Sequence, residues 1–209
     1  MTRIMAEGRD VAESISRLAD PDATKRRAAA RQLYLAGAAL CLAATRGWFR
    51  DAEFCELVRP PSVDATVKPG PDNIPFSIGV AVRPENFQKI RIANGAPQLA
   101  DVPPDQDAME FELRFGDGED FDILTARDTD GAGAIARYLM KFGEGIQQIE
   151  IGVTSVNRAT DILRTRFGIT SVYPEAHAGA DGTRVNFFLV PVAEGRRVLI
   201  ELVEAAPKK

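Results

Sequence analysis

The chain has 209 residues, of which 45% are hydrophobic and 27% charged, so it can form one substantial globular domain with a core of its own. Its formal net charge of −4 argues against nucleic-acid binding, because no basic face is evident. Two cysteines allow one disulfide by count, but nothing in the sequence indicates an oxidising compartment.

The start of the chain lacks the pattern of a secretory signal, in which a basic segment is followed by an apolar one. The longest apolar run, Leu33–Thr45, is shorter than the ~20 residues that a membrane-spanning helix needs. We therefore expect a cytoplasmic protein that does not enter a membrane.

Residues 1–58 predict an N-terminal helical extension. Asp20-Pro21-Asp22 is a helix start signal, with acidic residues and a proline in the first turn. An alanine- and leucine-rich stripe follows from Thr24 to Ala44. Small side chains allow a close approach to another element, so this helix is predicted to pack within the molecule or to form the contact of a homodimer.

Residues 74–127 predict a first, degenerate module of strands after a linker over Pro60–Pro71, which is rich in proline. Phe76–Val82 is typical of a buried strand. Met109–Phe115 alternates apolar and charged residues, which is the period of a half-buried strand, and Phe121–Thr125 is its predicted partner. The segment between the first two strands is too short for a full helix.

Residues 128–145 predict a connecting helix that ends at Gly143, and residues 146–204 predict a second module of one strand, one helix and three strands. The predicted helix of this module begins after Ser155. The predicted strands of this module are Ile146–Val153, Thr170–Tyr173, Val185–Val190 and Val198–Val203. Since the first module has at least three strands in a similar order, the sequence indicates a weak internal duplication.

Five segments resemble methylmalonyl-CoA epimerases and other members of the vicinal oxygen chelate (glyoxalase-type) superfamily. They are Phe76–Val82, Asp122-Ile123-Leu124, Gly143–Gln148, Gly182–Phe187 and Leu199–Val203. The resemblance implies an α+β fold in which paired βαβββ modules form a curved mixed sheet cup, here with an N-terminal helical extension. We expect the helix from Thr24 to Ala44 to cover the sheet face that the short first module leaves bare.

In the resembled family one side chain from each of four strands holds a divalent metal, and the matching positions here are Ser77, Asp122, Gln148 and Glu201. The usual imidazoles are replaced, and the chain has only one histidine, His177, in a predicted exposed loop. A set without histidine is poor for zinc, cobalt or nickel. The expectation is therefore either no cofactor or a hard cation such as magnesium, manganese or calcium on Asp122, Gln148 and Glu201.

The resemblance implies a lyase, isomerase or epimerase that acts on a small carboxylate or an acyl thioester. Glu201 is the predicted base, with Gln148 and Ser77 as donors to an oxyanion, and Arg184 and Asn186 as further pocket residues. A second base would fall near Phe111, where our register places no carboxylate. The alternatives are a non-catalytic protein that binds a small molecule in the cup, and a structural protein whose helical extension forms a dimer.

Overall fold

The computed structural model describes residues 2–59, 69–71, 73–116 and 118–206, so residues 60–68 of the predicted linker and Asp117 of the predicted hairpin lie outside the description. The fold is α+β, as predicted, with N-terminal helices and with both parallel and antiparallel strand pairs. The chain divides into two compact units. The first unit comprises Met1–Gly37 and Ile78–Gln147, and the second comprises Ala38–Ser77 and Gln148–Lys209.

Six α-helices are described. They are α1 (Thr2–Arg17), α2 (Ala23–Thr45), α3 (Ala52–Leu57), α4 (Pro84–Ala93), α5 (Ala134–Phe142) and α6 (Val156–Phe167). The start signal of α2 is confirmed, because the Asp22 carboxylate accepts a hydrogen bond from the backbone N–H of Thr24 at 2.8 Å. Ser155 caps α6 through its hydroxyl, and Gly168 ends that helix with a positive φ of 64°.

Seven strands are described. They are β1 (Ser77–Ala81), β2 (Ala108–Phe115), β3 (Glu119–Ala126), β4 (Gly145–Val153), β5 (His177–Ala178), β6 (Arg184–Pro191) and β7 (Arg197–Glu204). In the first unit β3 lies between β2, which is antiparallel to it, and β1, which is parallel. In the second unit the order is β4-β7-β6-β5, and only the β4–β7 pair is parallel.

Two predictions about the strands and helices were wrong. Thr170–Tyr173 is not a strand, and the short strand of this region is β5, beyond Pro174. The helix of the first module is present as α4, because Pro84 suits a first helical turn and the Glu144 carboxylate accepts hydrogen bonds from the backbone N–H of Arg83 and the side chain of Asn86. The first module therefore has its own helix, and the short segment is no longer a reason to expect a bare sheet face.

Helix α2 nevertheless packs on the first unit's strands through its N-terminal half. Arg31 donates a hydrogen bond to the buried Glu119 carboxylate at 2.9 Å, and the Tyr34 and Phe121 rings meet edge to face at 6.4 Å. In the second unit Trp48, which lies just beyond α2, is 2% exposed and packs against Phe54 and Phe188. The apolar stripe of α2 is thus used for packing.

By length and composition α2 is also the one helix of the described residues that is long enough and apolar enough to cross a membrane. The run Leu33–Thr45 considered from sequence is shorter than the helix, whose 23 residues have a window of mean hydropathy 1.2. Of that window, 39% is buried inside the folded chain. A core helix passes the same test of length and composition, so the feature alone does not indicate a membrane protein.

Candidate functional site

A group of polar side chains lies on one face of the parallel strand pair β4–β7 in the second unit. Glu150 and Glu201 are register partners, and Gln148 lies two residues before Glu150, so all three side chains are on the same face. The residues between them, such as Ile149 and Ile200, point to the opposite face and are fully buried. Gln148 and Glu201 are each only 8% exposed, so the polar group is largely shielded from water.

The Gln148 amide joins the two carboxylates. Its Nε2 donates one hydrogen bond to Glu150 Oε1 at 2.9 Å and another to Glu201 Oε2. The Ser77 hydroxyl donates to Glu150 Oε2 at 3.4 Å. These four side chains, Ser77, Gln148, Glu150 and Glu201, are called the acid cluster below. Three of them were predicted from sequence, and Glu150 was missed.

A row of rings lies on the same sheet face, beyond Glu201. Phe187 is the register partner of Glu201, so the two side chains are cross-strand neighbours. The Tyr173 ring lies 6.1 Å from Phe187 and 4.3 Å from His177, measured between centroids. His177 is exposed, as predicted, but it lies on β5 rather than in a loop. We call Phe187, Tyr173 and His177 the aromatic strip.

Arg184 and Asn186 lie on the other face of β6, away from the acid cluster. Their register partners are Glu204 and Leu202, and both alternate with Phe187 along the strand. Arg184 reaches Asn157 of α6 at 3.3 Å, and Asn186, which is 1% exposed, donates to the backbone of Tyr173 at 3.4 Å. The structure therefore does not bring these two predicted pocket residues together with Gln148 and Glu201.

Asp122, the remaining predicted position, belongs to the first unit. It is 7% exposed and lies opposite Glu112 in the β2–β3 register, on the face that also carries Glu110 and Asp120. From sequence, our register put the position of a second base at Phe111, on the neighbouring strand β2. Phe111 points to the other face and packs on Phe87 of α4, with ring centroids 4.7 Å apart, whereas carboxylates line the Asp122 face.

Burial raises the pKa of the Asp120 carboxyl on that face, and the nearby Arg114 guanidinium, 3.8 Å away, only partly opposes the effect. A neighbouring carboxylate, Glu112, acts in the same direction as burial. Asp120 thus holds its proton more tightly than an isolated aspartate does.

A cleft of about 390 Å³ in the first unit lies elsewhere, at the starts of α4 and α5. Its walls include Arg83, Asp130 and Met140. The start of α4 already has an anion beside it, because the Glu144 carboxylate accepts hydrogen bonds from the backbone N–H of Arg83 and from the Asn86 side chain. This cleft contains none of the predicted site residues, and the acid cluster remains the candidate site.

The donors of the acid cluster do not fit a divalent cation. The Gln148 amide presents its nitrogen, with both hydrogens, to Glu150 and Glu201, and an amide N–H donor cannot ligate a cation. Of the predicted ligand set, Gln148 would therefore offer Glu201 a hydrogen bond rather than offer a cation an oxygen. Among the residues that the structure describes, no group of three or more His, Cys, Asp or Glu side chains is placed to hold a metal.

Solved structures of other proteins resemble the chain over nearly two thirds of its length. The methylmalonyl-CoA epimerase of Mycobacterium tuberculosis is 30% identical, with a TM-score of 0.52 over 63% of this chain and 87% of the epimerase. A hypothetical protein of Bacillus halodurans C-125 is 26% identical, with a TM-score of 0.52 over 64% and 94%. A variant of the Streptomyces coelicolor methylmalonyl-CoA epimerase, in complex with 2-nitronate-propionyl-CoA, is 25% identical, with a TM-score of 0.50 over 63% and 96%. No family model and no curated protein sequence matches the chain.

Proposed function

Since the chain belongs to the vicinal oxygen chelate superfamily, with methylmalonyl-CoA epimerases among its structural relatives, we propose that it is an epimerase or isomerase that moves a proton beside the carbonyl of an acyl thioester. The observation that carries the proposal is the placement of Glu201. This carboxylate is 8% exposed and accepts a hydrogen bond from the Gln148 amide of the neighbouring strand. A shielded carboxylate held in one orientation suits a general base.

In the proposed step a Glu201 oxygen takes the proton from the carbon next to the thioester carbonyl. The electron pair of the broken C–H bond moves into the new C=C bond of the enolate, and negative charge appears on the carbonyl oxygen. The reverse step returns a proton to carbon, so no oxidant, reductant or further reactant is needed. Gln148 acts as a positioning residue, because its hydrogen bond fixes the direction of the Glu201 carboxylate.

The enolate oxygen needs a hydrogen-bond donor, and the two predicted donors are Gln148 and Ser77. Both now donate to Glu150, at 2.9 Å and 3.4 Å. We propose that the enolate oxygen takes over one of these hydrogens when substrate binds. One such donor to a developing oxyanion typically contributes a factor of about 10²–10³ to the rate.

Glu201 by itself supports proton exchange at one face of a carbon atom. Isomerisation with a single base needs no more, since the same carboxylate can remove and return the proton. Epimerisation needs a further acid on the opposite face of that carbon. The proposal therefore covers both isomerisation and epimerisation. Return of the proton to the opposite face of the same carbon atom identifies epimerisation.

The test is proton exchange in D₂O. The protein is incubated with a panel of acyl-CoA thioesters, and deuterium at the carbon next to the carbonyl is measured by NMR and mass spectrometry. Glu201→Gln should lower the exchange rate by at least about 10³-fold while leaving the circular dichroism spectrum unchanged. Glu175→Gln, on an exposed loop of the same unit, is the matched control and should exchange like the wild type.

Exchange by the wild type that survives Glu201→Gln would overturn the role of Glu201, and no exchange with any thioester would overturn the proposed function. The second outcome, together with measurable binding, would favour the alternative of a non-catalytic protein that binds a small molecule. The aromatic strip beside the acid cluster supports that alternative, because its rings supply apolar contact area without any chemistry.

A further inference from the structure

The cleft of the first unit, at the starts of α4 and α5, has the size of a small-molecule site. Its volume is about 390 Å³, and pockets that hold small ligands have volumes of about 300–1,000 Å³. Arg83, Pro84 and Glu85 line it from the start of α4, and Asp130 lines it from the segment before α5. The cleft shares no residue with the acid cluster.

Charged side chains of both signs line the cleft, and they do not pair with one another. Arg83 supplies a positive charge, and the exposed side chains of Glu85 and Asp130 supply two negative charges. Within the part of the chain that the structure describes, none of these three side chains takes part in a hydrogen bond or an ion pair. Opposite charges that share one cleft without pairing leave room between them for a ligand that carries both charges.

The two helix starts beside the cleft already have carboxylates from the chain itself. At α4 the Glu144 carboxylate accepts hydrogen bonds from the backbone N–H of Arg83 and from the Asn86 side chain. At α5 a Cβ atom on Gly133, the N-cap residue, would lie 3.0 Å from Asp107 Oδ2, so the Asp107 carboxylate lies against the start of that helix. The positive ends of both helices thus have an anion nearby, and the Arg83 guanidinium remains as the group that can pair with an anionic part of a ligand.

Helix α5 gives the cleft an apolar wall. Ala136 and Leu139 are 2% and 7% exposed, and Met140, which is 71% exposed, continues the wall to the surface. The thioether side chain of methionine is flexible and adapts to apolar groups of different shapes. The wall therefore suits an aliphatic or aromatic side chain, whose binding would remove apolar surface of Met140 from water.

We propose that this cleft binds a free α-amino acid with an apolar side chain. The carboxylate of the amino acid pairs with Arg83, and its ammonium group pairs with Glu85 and Asp130. Its side chain packs on Leu139 and Met140. A simple anion would lie beside two like charges in this cleft and a simple cation would lie beside Arg83, whereas a dipolar ion matches both signs.

The experiment compares L-leucine with three probes, each of which lacks one of its parts, by isothermal titration calorimetry of the full chain at neutral pH. 4-Methylpentanoate lacks the ammonium group, 3-methylbutylamine lacks the carboxylate, and glycine lacks the apolar side chain. L-Leucine should bind with a dissociation constant below about 1 mM. Each probe should bind at least about tenfold more weakly, because one part of the cleft then has no partner.

Two variants test the charged groups. Arg83→Gln removes the positive charge, and Glu85→Gln together with Asp130→Asn removes the two negative charges. Each variant should weaken L-leucine binding at least about tenfold and leave the circular dichroism spectrum unchanged. Lys89→Gln is the matched control and should bind like the wild type, because Lys89 is exposed on α4 and does not line the cleft.

Three results would overturn the proposal. The first is no binding of L-leucine, L-methionine or L-phenylalanine at millimolar concentration. The second is a probe that binds as tightly as L-leucine, because the part that it lacks would then contribute nothing. The third is L-leucine binding that both charge variants retain in full, which would place the amino acid elsewhere. Absence of deuterium exchange in D₂O would contradict the proposed function alone, since the cleft uses no residue of the acid cluster.

Discussion

Glu150 lies directly beside Glu201 on the neighbouring parallel strand, and one amide group, that of Gln148, donates a hydrogen bond to each of them. Two adjacent carboxylates repel each other, and a donor between them offsets part of that repulsion. The stability of this strand pair therefore depends on a side chain that the family resemblance presents as a metal-ligand position.

Gln148→Ala should destabilise the protein by about 1–3 kcal/mol, because it leaves two shielded acceptors without a shared donor. The measurement is urea unfolding followed by circular dichroism. Gln148→Ala combined with Glu150→Gln should recover part of the loss, since one of the two charges is then removed. Gln88→Ala on the exposed side of α4 is the control, and a loss of equal size there would contradict the role of Gln148.

The purified protein should contain much less than one metal ion per chain, because the Gln148 amide nitrogen stands between the two carboxylates. Elemental analysis by mass spectrometry measures this. EDTA should move the melting temperature by less than about 2 °C, the shift that ~1 kcal/mol of binding would give a chain of this size.

The double variant Ser77→His, Gln148→His supplies imidazoles at two positions and should bind cobalt, which its visible absorption reports. Stoichiometric metal in the wild type, with a melt that EDTA lowers, would contradict this prediction.

Helices α3 and α6 of the second unit are joined by ion pairs that should make the unit sensitive to acid. Arg166 lowers the pKa of Asp51, with Nη1 2.7 Å from the carboxylate, and Arg158 together with Arg166 lowers the pKa of Glu53. A lowered pKa in the folded state contributes stability above the pKa of the unfolded chain and loses it as pH falls through the folded value.

Arg166→Met should therefore lower the urea midpoint by a constant amount above about pH 5.5 and by a decreasing amount below about pH 4.5, near the ordinary pKa range of these carboxyls. Arg164→Met is the control, because the ion pair that the described residues give Arg164 is with Asp161, three residues away on the same helix. A difference between wild type and Arg166→Met that grows on acidification would contradict the assignment.

Both cysteines are free, and they should differ in reactivity. Burial raises the pKa of the Cys41 thiol to about 12, so this side chain should resist iodoacetamide in the native protein at pH 8. Burial also raises the pKa of the half-buried Cys55, with Asp51 acting in the same direction, so alkylation there should be slow. Peptide mass spectrometry measures both rates. Cys41 should react only after denaturation, and fast native labelling of Cys41 would contradict its placement.

The exposed side of α2 supports the sequence-based expectation of a homodimer. Leu35 and Leu42 are 54% and 43% exposed, and their spacing of seven residues places them on one side of the helix. We propose that the wild type has the mass of a dimer in light-scattering measurements and that Leu35→Lys together with Leu42→Lys has the mass of a monomer. A wild type that is monomeric at high concentration would contradict the expected homodimer.

The strands were predictable where one face is apolar and the other polar. Met109–Phe115 shows the alternation in its letters, and the structure places Phe111 and Glu112 on opposite faces as predicted. Helix α4 was not predictable in the same way, because the hydrogen bonds that Glu144 makes to its first turn come from a residue about 60 positions later. Thr170–Tyr173 has strand-forming residues, but only one backbone hydrogen bond, from Val172 to Phe187, joins it to β6.

For the site, the family resemblance found Ser77, Gln148 and Glu201, and the structure brings these three together. Glu150 was missed although its signal was present, since a residue two positions after Gln148 on a strand must share its face. Asn186 illustrates the opposite case. The sequence around Asn186 does not show which face of β6 helices cover. The structure shows that it is the face of Asn186 and Phe188, because Trp48, far away in the sequence, packs on Phe188.

Trp48 is the only tryptophan of the chain, and its partners Phe54 and Phe188 belong, like Trp48 itself, to the second unit. Its fluorescence is therefore a local signal, whereas circular dichroism at 222 nm sums the helices of both units. Comparing the two signals during denaturation tests whether the two units unfold cooperatively. Coincident curves would mean that the units lose their structure together, and separated curves would give each unit a free energy of its own.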